Sequence, residues 1–160
     1  MKPTLTILIC IYFFSLKGQN TPEGFVSKTY TTENGLPYNH VLSMVQDHTG
    51  FLWIATWDGL SRFDGYEFRN YYPKPGDSTA IPFFVVNHLF VDHLNNVWIH
   101  FFSRPLVRYN RELDNFEWMT QPGIRDSFVR HIAQSNDKKS LFLFFPDDRK
   151  IFRIETNTRK

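Results

Sequence analysis

Residues 46–66 read QDHTGFLWIATWDGLSRFDGY, and residues 91–110 read VDHLNNVWIHFFSRPLVRYN. The two stretches are copies of one another. Asp47 matches Asp92 and Trp53-Ile54 matches Trp98-Ile99, both 45 residues on. Arg62-Phe63-Asp64 matches Arg108-Tyr109-Asn110 at a spacing of 46. A weaker third copy follows at the same period. Residues 129–134 resemble the opening strand, Leu141-Phe142-Leu143 stands where Val97-Trp98-Ile99 stood, and Phe152-Arg153-Ile154 where Val107-Arg108-Tyr109 stood. A period of 44–46 residues suits either a four-stranded propeller blade or a pair of helices.

Turn chemistry decides between them. Asp58-Gly59 and Asp64-Gly65 are two-residue turns that favour tight hairpins. Asn34-Gly35 and Asn95-Asn96 are also turn-prone. Short apolar runs between such turns are strands. The first copy therefore predicts a meander with strands near 41–47, 51–57, 60–63 and 66–72. Its second strand is apolar on both sides, with Phe51, Trp53, Ala55 and Trp57 on one and Leu52 and Ile54 on the other. Such a strand needs a sheet covered on both faces. Blades packed around an axis supply that cover. A two-sheet sandwich also uses short strands, but does not require this repeat.

The 160 residues include 17 Phe, 7 Tyr and 4 Trp, and 42% of positions are hydrophobic. This argues against disorder, whose chains lack aromatics, and against collagen and coiled coil. The N-terminus has Lys2, then an uncharged run from Thr4 to Leu16, then Lys17-Gly18. That pattern predicts a signal peptide over 1–18. The run is too short to span a bilayer comfortably, which takes roughly 20 residues. The competing reading is a buried N-terminal element. Removing 1–18 deletes two lysines, so the net charge of +2 becomes zero and no basic footprint for nucleic acid remains. The one cysteine, Cys10, falls inside that segment, which leaves no disulfide, thiolate zinc site or cysteine nucleophile.

The text Asn34-Gly35-Leu36-Pro37, then Asp47-His48-Thr49-Gly50-Phe51-Leu52-Trp53-Ile54-Ala55-Thr56, then Gly59-Leu60-Ser61-Arg62-Phe63-Asp64-Gly65, resembles the two-component regulator propeller repeat. The family's rhythm is Asn-Gly-Leu-Ser, Asp-x-x-Gly-x-Leu-Trp-Ile-Gly-Thr and Gly-Leu-x-Arg-Tyr-Asp-Gly. Ala55 departs from the usual Gly and Pro37 from a common Ser, and His100-Phe101 stands where Gly-Thr is usual. The resemblance implies the extracytoplasmic sensor region of a hybrid two-component histidine kinase. Its ligand would be a carbohydrate, its localisation periplasmic and its full-length form a homodimer. Membrane contact would come only through downstream regions. By the same resemblance, residues 24–31 could give a ring-closing outer strand, and the chain would be the front end of a longer sensor.

Each candidate residue has a functional and a structural reading. Trp53 and Trp98, repeated at one strand position, fit inter-blade core better than sugar platforms. Trp57 is unrepeated and flanks a turn, so it is the better exposed aromatic. Arg62 and Arg108 could face an anionic sugar, or be edge residues that cap turns. Asp47 and Asp92 suit side chains that bond turn N–H groups more than calcium ligands. The stretch from Asp47 to Trp53 also resembles the Asp-box turn of sialidase propellers, with a spacing longer by one. His48 and His93 could share a metal, but no third ligand is identifiable. Asp58, Asp64, Asp77, Asp114, Asp147 and Asp148 cluster at turns, although paired carboxylates for glycoside hydrolysis are not readable from one sequence.

The sequence therefore predicts an all-β fold, a partial propeller of about three four-stranded antiparallel blades, the third incomplete. The divisions are a signal peptide at 1–18, an N-terminal segment at 19–40, and blades at 41–72, 86–119 and 128–160. The leading function is extracytoplasmic sensing, with ligand contacts sought at Trp57, Arg62 and Arg108. No cofactor, metal or catalytic residue is expected, and no nucleic acid partner. The rival readings are a secreted propeller glycosidase or lyase, and a scaffold for protein partners.

Overall fold

The computed structural model describes residues 26–101, 105–119, 129–145 and 149–156. The expected signal peptide, Cys10, Asp147 and Asp148 lie outside the described residues. Among the described residues, eleven strands form three antiparallel sheets in chain order. Blade 1 contains β1 (Val41–Gln46), β2 (Leu52–Thr56), β3 (Gly59–Phe63) and β4 (Phe68–Tyr71). Blade 2 contains β5 (Val86–Val91), β6 (Val97–Phe101), β7 (Leu106–Asn110) and β8 (Asn115–Met119). Blade 3 contains β9 (His131–Gln134), β10 (Ser140–Phe145) and β11 (Lys150–Glu155). The architecture is all-β and propeller-like, with the third blade one strand short among the described residues.

The alternation of side chains along each strand sorts them between two seams. Trp53, Ala55 and Leu60 of blade 1 meet Leu89, Val97, Ile99, Phe101 and Val107 of blade 2. The opposite side of blade 2, with Trp98 and Leu106, meets Ile132, Leu141, Leu143, Phe145 and Ile154 of blade 3. Trp53 and Trp98 are 0% and 4% exposed, so both repeated tryptophans are core. The far side of blade 1 has another cover. Leu36 packs on Ile54 and Phe63, while Tyr30 sets its ring edge against Phe63 and Phe68. Residues 26–31 take no strand; a 3-10 turn at Thr32–Asn34 follows, capped by Thr31.

The inner strands carry a repeated irregularity. Pairing of β1 with β2 slips between Val41 and Ser43, and pairing of β5 with β6 slips between Val86 and His88. Each bulge bends the inner strand and leaves the next pair, Ser43 with Ala55 and His88 with His100, at the same place in its blade.

Candidate functional site

The blade ends differ in chemistry. At one end lie the β1–β2 and β5–β6 turns. The buried carboxylate of Asp47 accepts the Thr49 and Phe51 backbone N–H groups on Oδ1, at 2.9 and 3.2 Å. Its Oδ2 accepts the Trp53 indole N–H at 2.8 Å. Asp92 repeats the arrangement, with Leu94 and Asn96 N–H on Oδ1 and the Trp98 indole on Oδ2 at 2.9 Å. Arg111, from the β7–β8 turn, crosses the seam to Asp47 Oδ2 at 3.0 Å and also bonds the Asn95 carbonyl. Desolvation opposes the Asp47 charge, but the bonds from Thr49, Trp53 and Arg111 outweigh it and hold the carboxyl below its ordinary range. These groups are consumed in holding turns and blades together.

The two candidate arginines are similarly engaged. Arg62 lies over the Phe51 ring at 4.5 Å and donates to the Tyr109 hydroxyl at 2.8 Å. Its neighbour Asp114 accepts both the Tyr71 and Tyr109 hydroxyls, at 2.8 and 2.6 Å, and pairs with Arg69. Arg108 pairs with Glu117, which also accepts from Asn110. The Arg108–Glu117 pair lines a polar depression of about 310 Å³ with Arg111, Asn95 and Asn96. The structure brings neither arginine to Trp57.

Trp57 belongs to the other end, where the β2–β3 turn meets the connection from β4 to β5. Thr56 is buried and closes that turn, donating to the Gly59 carbonyl and accepting the Asp58 N–H. Gly59 in turn donates to the Phe84 carbonyl at 2.8 Å, which ties the turn to the next connection. Trp57 is left 50% exposed, stacked on His40 with ring centroids 4.4 Å apart. Tyr38, Tyr72 and Phe84 are also exposed. Beside them opens a largely apolar groove of about 530 Å³, floored by Ile81, Phe83, Phe84 and Trp118, with Lys74 and Asp77 on its wall. The Trp118 indole is fixed to the Ala80 carbonyl at 2.8 Å. Flat rings with hydrogen-bonding groups at the margin can take an amphipathic ring-shaped ligand. Sequence reasoning reached Trp57 through its place beside a turn. It missed Phe84, Trp118 and His40, because only the folded chain brings residues 40, 57, 84 and 118 to one end.

The remaining candidates are placed as follows. The His93 ring meets the Gln134 side chain at 2.7 Å, and the His48 backbone N–H bonds Asn95. Among the described residues no group of three His, Cys, Asp or Glu is placed to hold a metal. Asp64 and Asp77 accept N–H groups of their own turns, from Tyr66 and Glu67 and from Thr79. Among the described residues no helix is long and apolar enough to cross a membrane.

Residues 35–58 match the family described as two component regulator propeller. Over 75 residues the chain is 44% identical to a histidine kinase of Formosa agariphila, a stretch that is 47% of this chain and 5% of that relative. The extracellular domain of a protein assigned as a hybrid two component system of B. thetaiotaomicron superposes with a TM-score of 0.63. It is 30% identical, over 82% of this chain and 20% of that one. A second extracellular domain from B. thetaiotaomicron, of a protein assigned as a one component system, gives a TM-score of 0.59 at 19% identity, over 76% of this chain and 18% of that one. At that identity the second likeness speaks to the fold alone. This chain thus spans a twentieth of the curated relative and about a fifth of each solved chain.

Proposed function

We propose that this chain, in which residues 35–58 match a two-component regulator propeller repeat, is part of an extracytoplasmic sensor that binds oligosaccharides. The ledge formed by Trp57, His40 and Phe84 with its groove is the contact surface. One observation carries the ligand class: Trp57 is held half-exposed by a stack on His40, on a turn locked by Thr56 and Gly59. A ring fixed in place loses little entropy on binding, and sugar rings present apolar C–H faces to such platforms. The likeness to the extracellular domain of a hybrid system supports the sensing role. Signalling would pass from the sensor to a kinase region in a homodimeric protein.

The test is calorimetric titration of the protein with a panel of neutral and acidic plant and algal oligosaccharides, repeated with Trp57→Ala. A binding oligosaccharide should lose affinity by roughly tenfold or more in the variant, as expected when a stacked aromatic contact of about 1.5 kcal/mol is removed. No binding across the panel, or binding indifferent to Trp57→Ala, would defeat this reading of the ledge.

A further inference from the structure

His100 is wholly buried, and neither ring nitrogen has a hydrogen-bond partner among the described residues. A buried polar atom left unpaired is costly, so a native one calls for an explanation. Its position is informative. In blade 1 the equivalent cross-strand pair is Ser43 with Ala55. There the Ser43 hydroxyl accepts the Leu89 N–H and joins blade 1 to blade 2. In blade 2 the pair is His88 with His100, on the side that carries Trp98 and faces blade 3. Two imidazoles thus occupy, in the second seam, the place that two small residues occupy in the first. In blade 3 the same place holds His131 with Phe144.

We propose that the seam between blades 2 and 3 is an acid-opened joint, in which uptake of a proton by the His88–His100 pair parts blade 3 from blade 2. Among the described residues, no hydrogen-bond partner is offered to either ring nitrogen of His100 in place of water. The apolar core of the seam on blade 3 includes Ile132, Leu141, Leu143, Phe145 and Ile154, and the polar groups that cross it, Gln134 of blade 3 and His93 of blade 2, are bonded to each other. The charged side chains of β11, Lys150, Arg153 and Glu155, are exposed, as is Arg130 before β9. On β7, Arg108 is committed to Glu117. Among the described residues, the groups that act electrostatically on the pair are its own members and His131, all cations when protonated, so each proton opposes the next. Burial first and His88 second push His100 down from 6.5 to about 4, and burial followed by His131 lowers His88. The closed seam therefore prefers neutral rings, and the open state binds the protons. Closure is complete above about pH 6.5 and weakens as pH falls toward 4. One proton raises the open population by up to about tenfold per pH unit in that window.

The test compares the protein with a His88→Ser, His100→Ala double variant, which carries the residues blade 1 uses. Amide exchange, corrected for intrinsic pH dependence, is followed between pH 7.5 and 4.5. In the parent, protection of β9 and β10 should fall with pH ahead of β2 and β3, and the variant should lose this difference. Should the variant fail to fold, titration of the parent's histidine ring protons by NMR decides. A His100 ring still neutral at pH 5.5 while β9 remains closed agrees with the proposal. Equal pH dependence in the variant, simultaneous opening of β2 and β9, or a His100 ring titrating near 6.5 in the closed state overturns it.

Discussion

At the scale of single residues, the buried aspartates separate two jobs that the sequence presents as one. The pattern Asp-x-x-Gly predicts a carboxylate bonded to turn N–H groups, and Oδ1 of Asp47 does that. What spacing could not disclose is the second oxygen, which takes the indole N–H six residues on and, in blade 1, an arginine 64 residues away. The indole contact needs the strand pairing to fold Trp53 back over the turn. The arginine contact needs two blades in place. This division predicts unequal costs for an isosteric change. In Asp47→Asn the new amide would point N–H groups at two obligate donors, the Trp53 indole and Arg111. In Asp92→Asn the facing donors are the Trp98 indole and the Asn96 amide, and the latter can turn its oxygen round. Urea unfolding should show a loss of about 2–4 kcal/mol for Asp47→Asn and roughly half that for Asp92→Asn. Equal losses would mean that Arg111 contributes nothing to the joint. The Asp47 carboxyl, held low, also gives stability that is full above its ordinary range near 3.8 and is lost as pH drops through the lower folded value.

At the scale of elements, turns were more legible than their consequences. The strands expected at 41–47, 51–57, 60–63 and 66–72 are found at Val41–Gln46, Leu52–Thr56, Gly59–Phe63 and Phe68–Tyr71. Ends that differ by a residue or two are ordinary. The Asp58-Gly59 and Asp64-Gly65 pairs look alike in sequence, yet their surroundings differ. Gly59 has φ of 108°, and a Cβ there would lie 2.8 Å from the Tyr71 carbonyl and about 3.1 Å from the Tyr72 ring. Gly65 has φ of 103° and open space around it. Gly65→Ala should therefore cost only the left-handed backbone, about 1 kcal/mol. Gly59→Ala adds a backbone clash and should cost about 2–4 kcal/mol while displacing Trp57. Thermal unfolding measures the first effect, and a tryptophan fluorescence change that disappears in a Trp57→Phe background measures the second; equal melting temperatures would refute the distinction. The third blade was faint in sequence for a physical reason. Ser135 stands at the aspartate's place in the strand pairing and Phe142 at the tryptophan's, so the carboxylate and its indole disappear together. Ser135 instead closes a turn one residue longer, bonding Ser140 and Asp137.

At the scale of the whole molecule, stability resides in seams, and the three blades differ in how their faces are covered. Blade 2 has a blade on each side. The far face of blade 1 is capped by Tyr30 and Leu36. The far face of blade 3 has no such cover among the described residues. Register places Phe144 opposite Ile151 there, with Phe142 two residues along, and these are 37%, 68% and 37% exposed. Side-chain alternation in β10 explains why: Leu141, Leu143 and Phe145 point into the seam, so the phenylalanines between them must point out. The repeated Trp53 and Trp98 point to inter-blade core and both are buried there, but the repeat does not say which face lacks a neighbour. A contiguous apolar sheet face promotes self-association. The protein should bind a hydrophobic dye such as ANS and show sedimentation that depends on concentration at neutral pH. Replacing Phe142 and Ile151 together by Thr keeps strand preference while removing apolar surface from that face alone. The double variant should bind less dye and sediment as a smaller species, with its melting temperature little changed because neither side chain fills a seam. If dye binding and association persist in that variant, the exposed inner strand is the next surface to test, since β1 turns Leu42 and Met44 outward at 38% and 61% exposure. Association driven from blade 3 and association driven from β1 are then told apart by a Met44→Thr variant, which should act only in the second case.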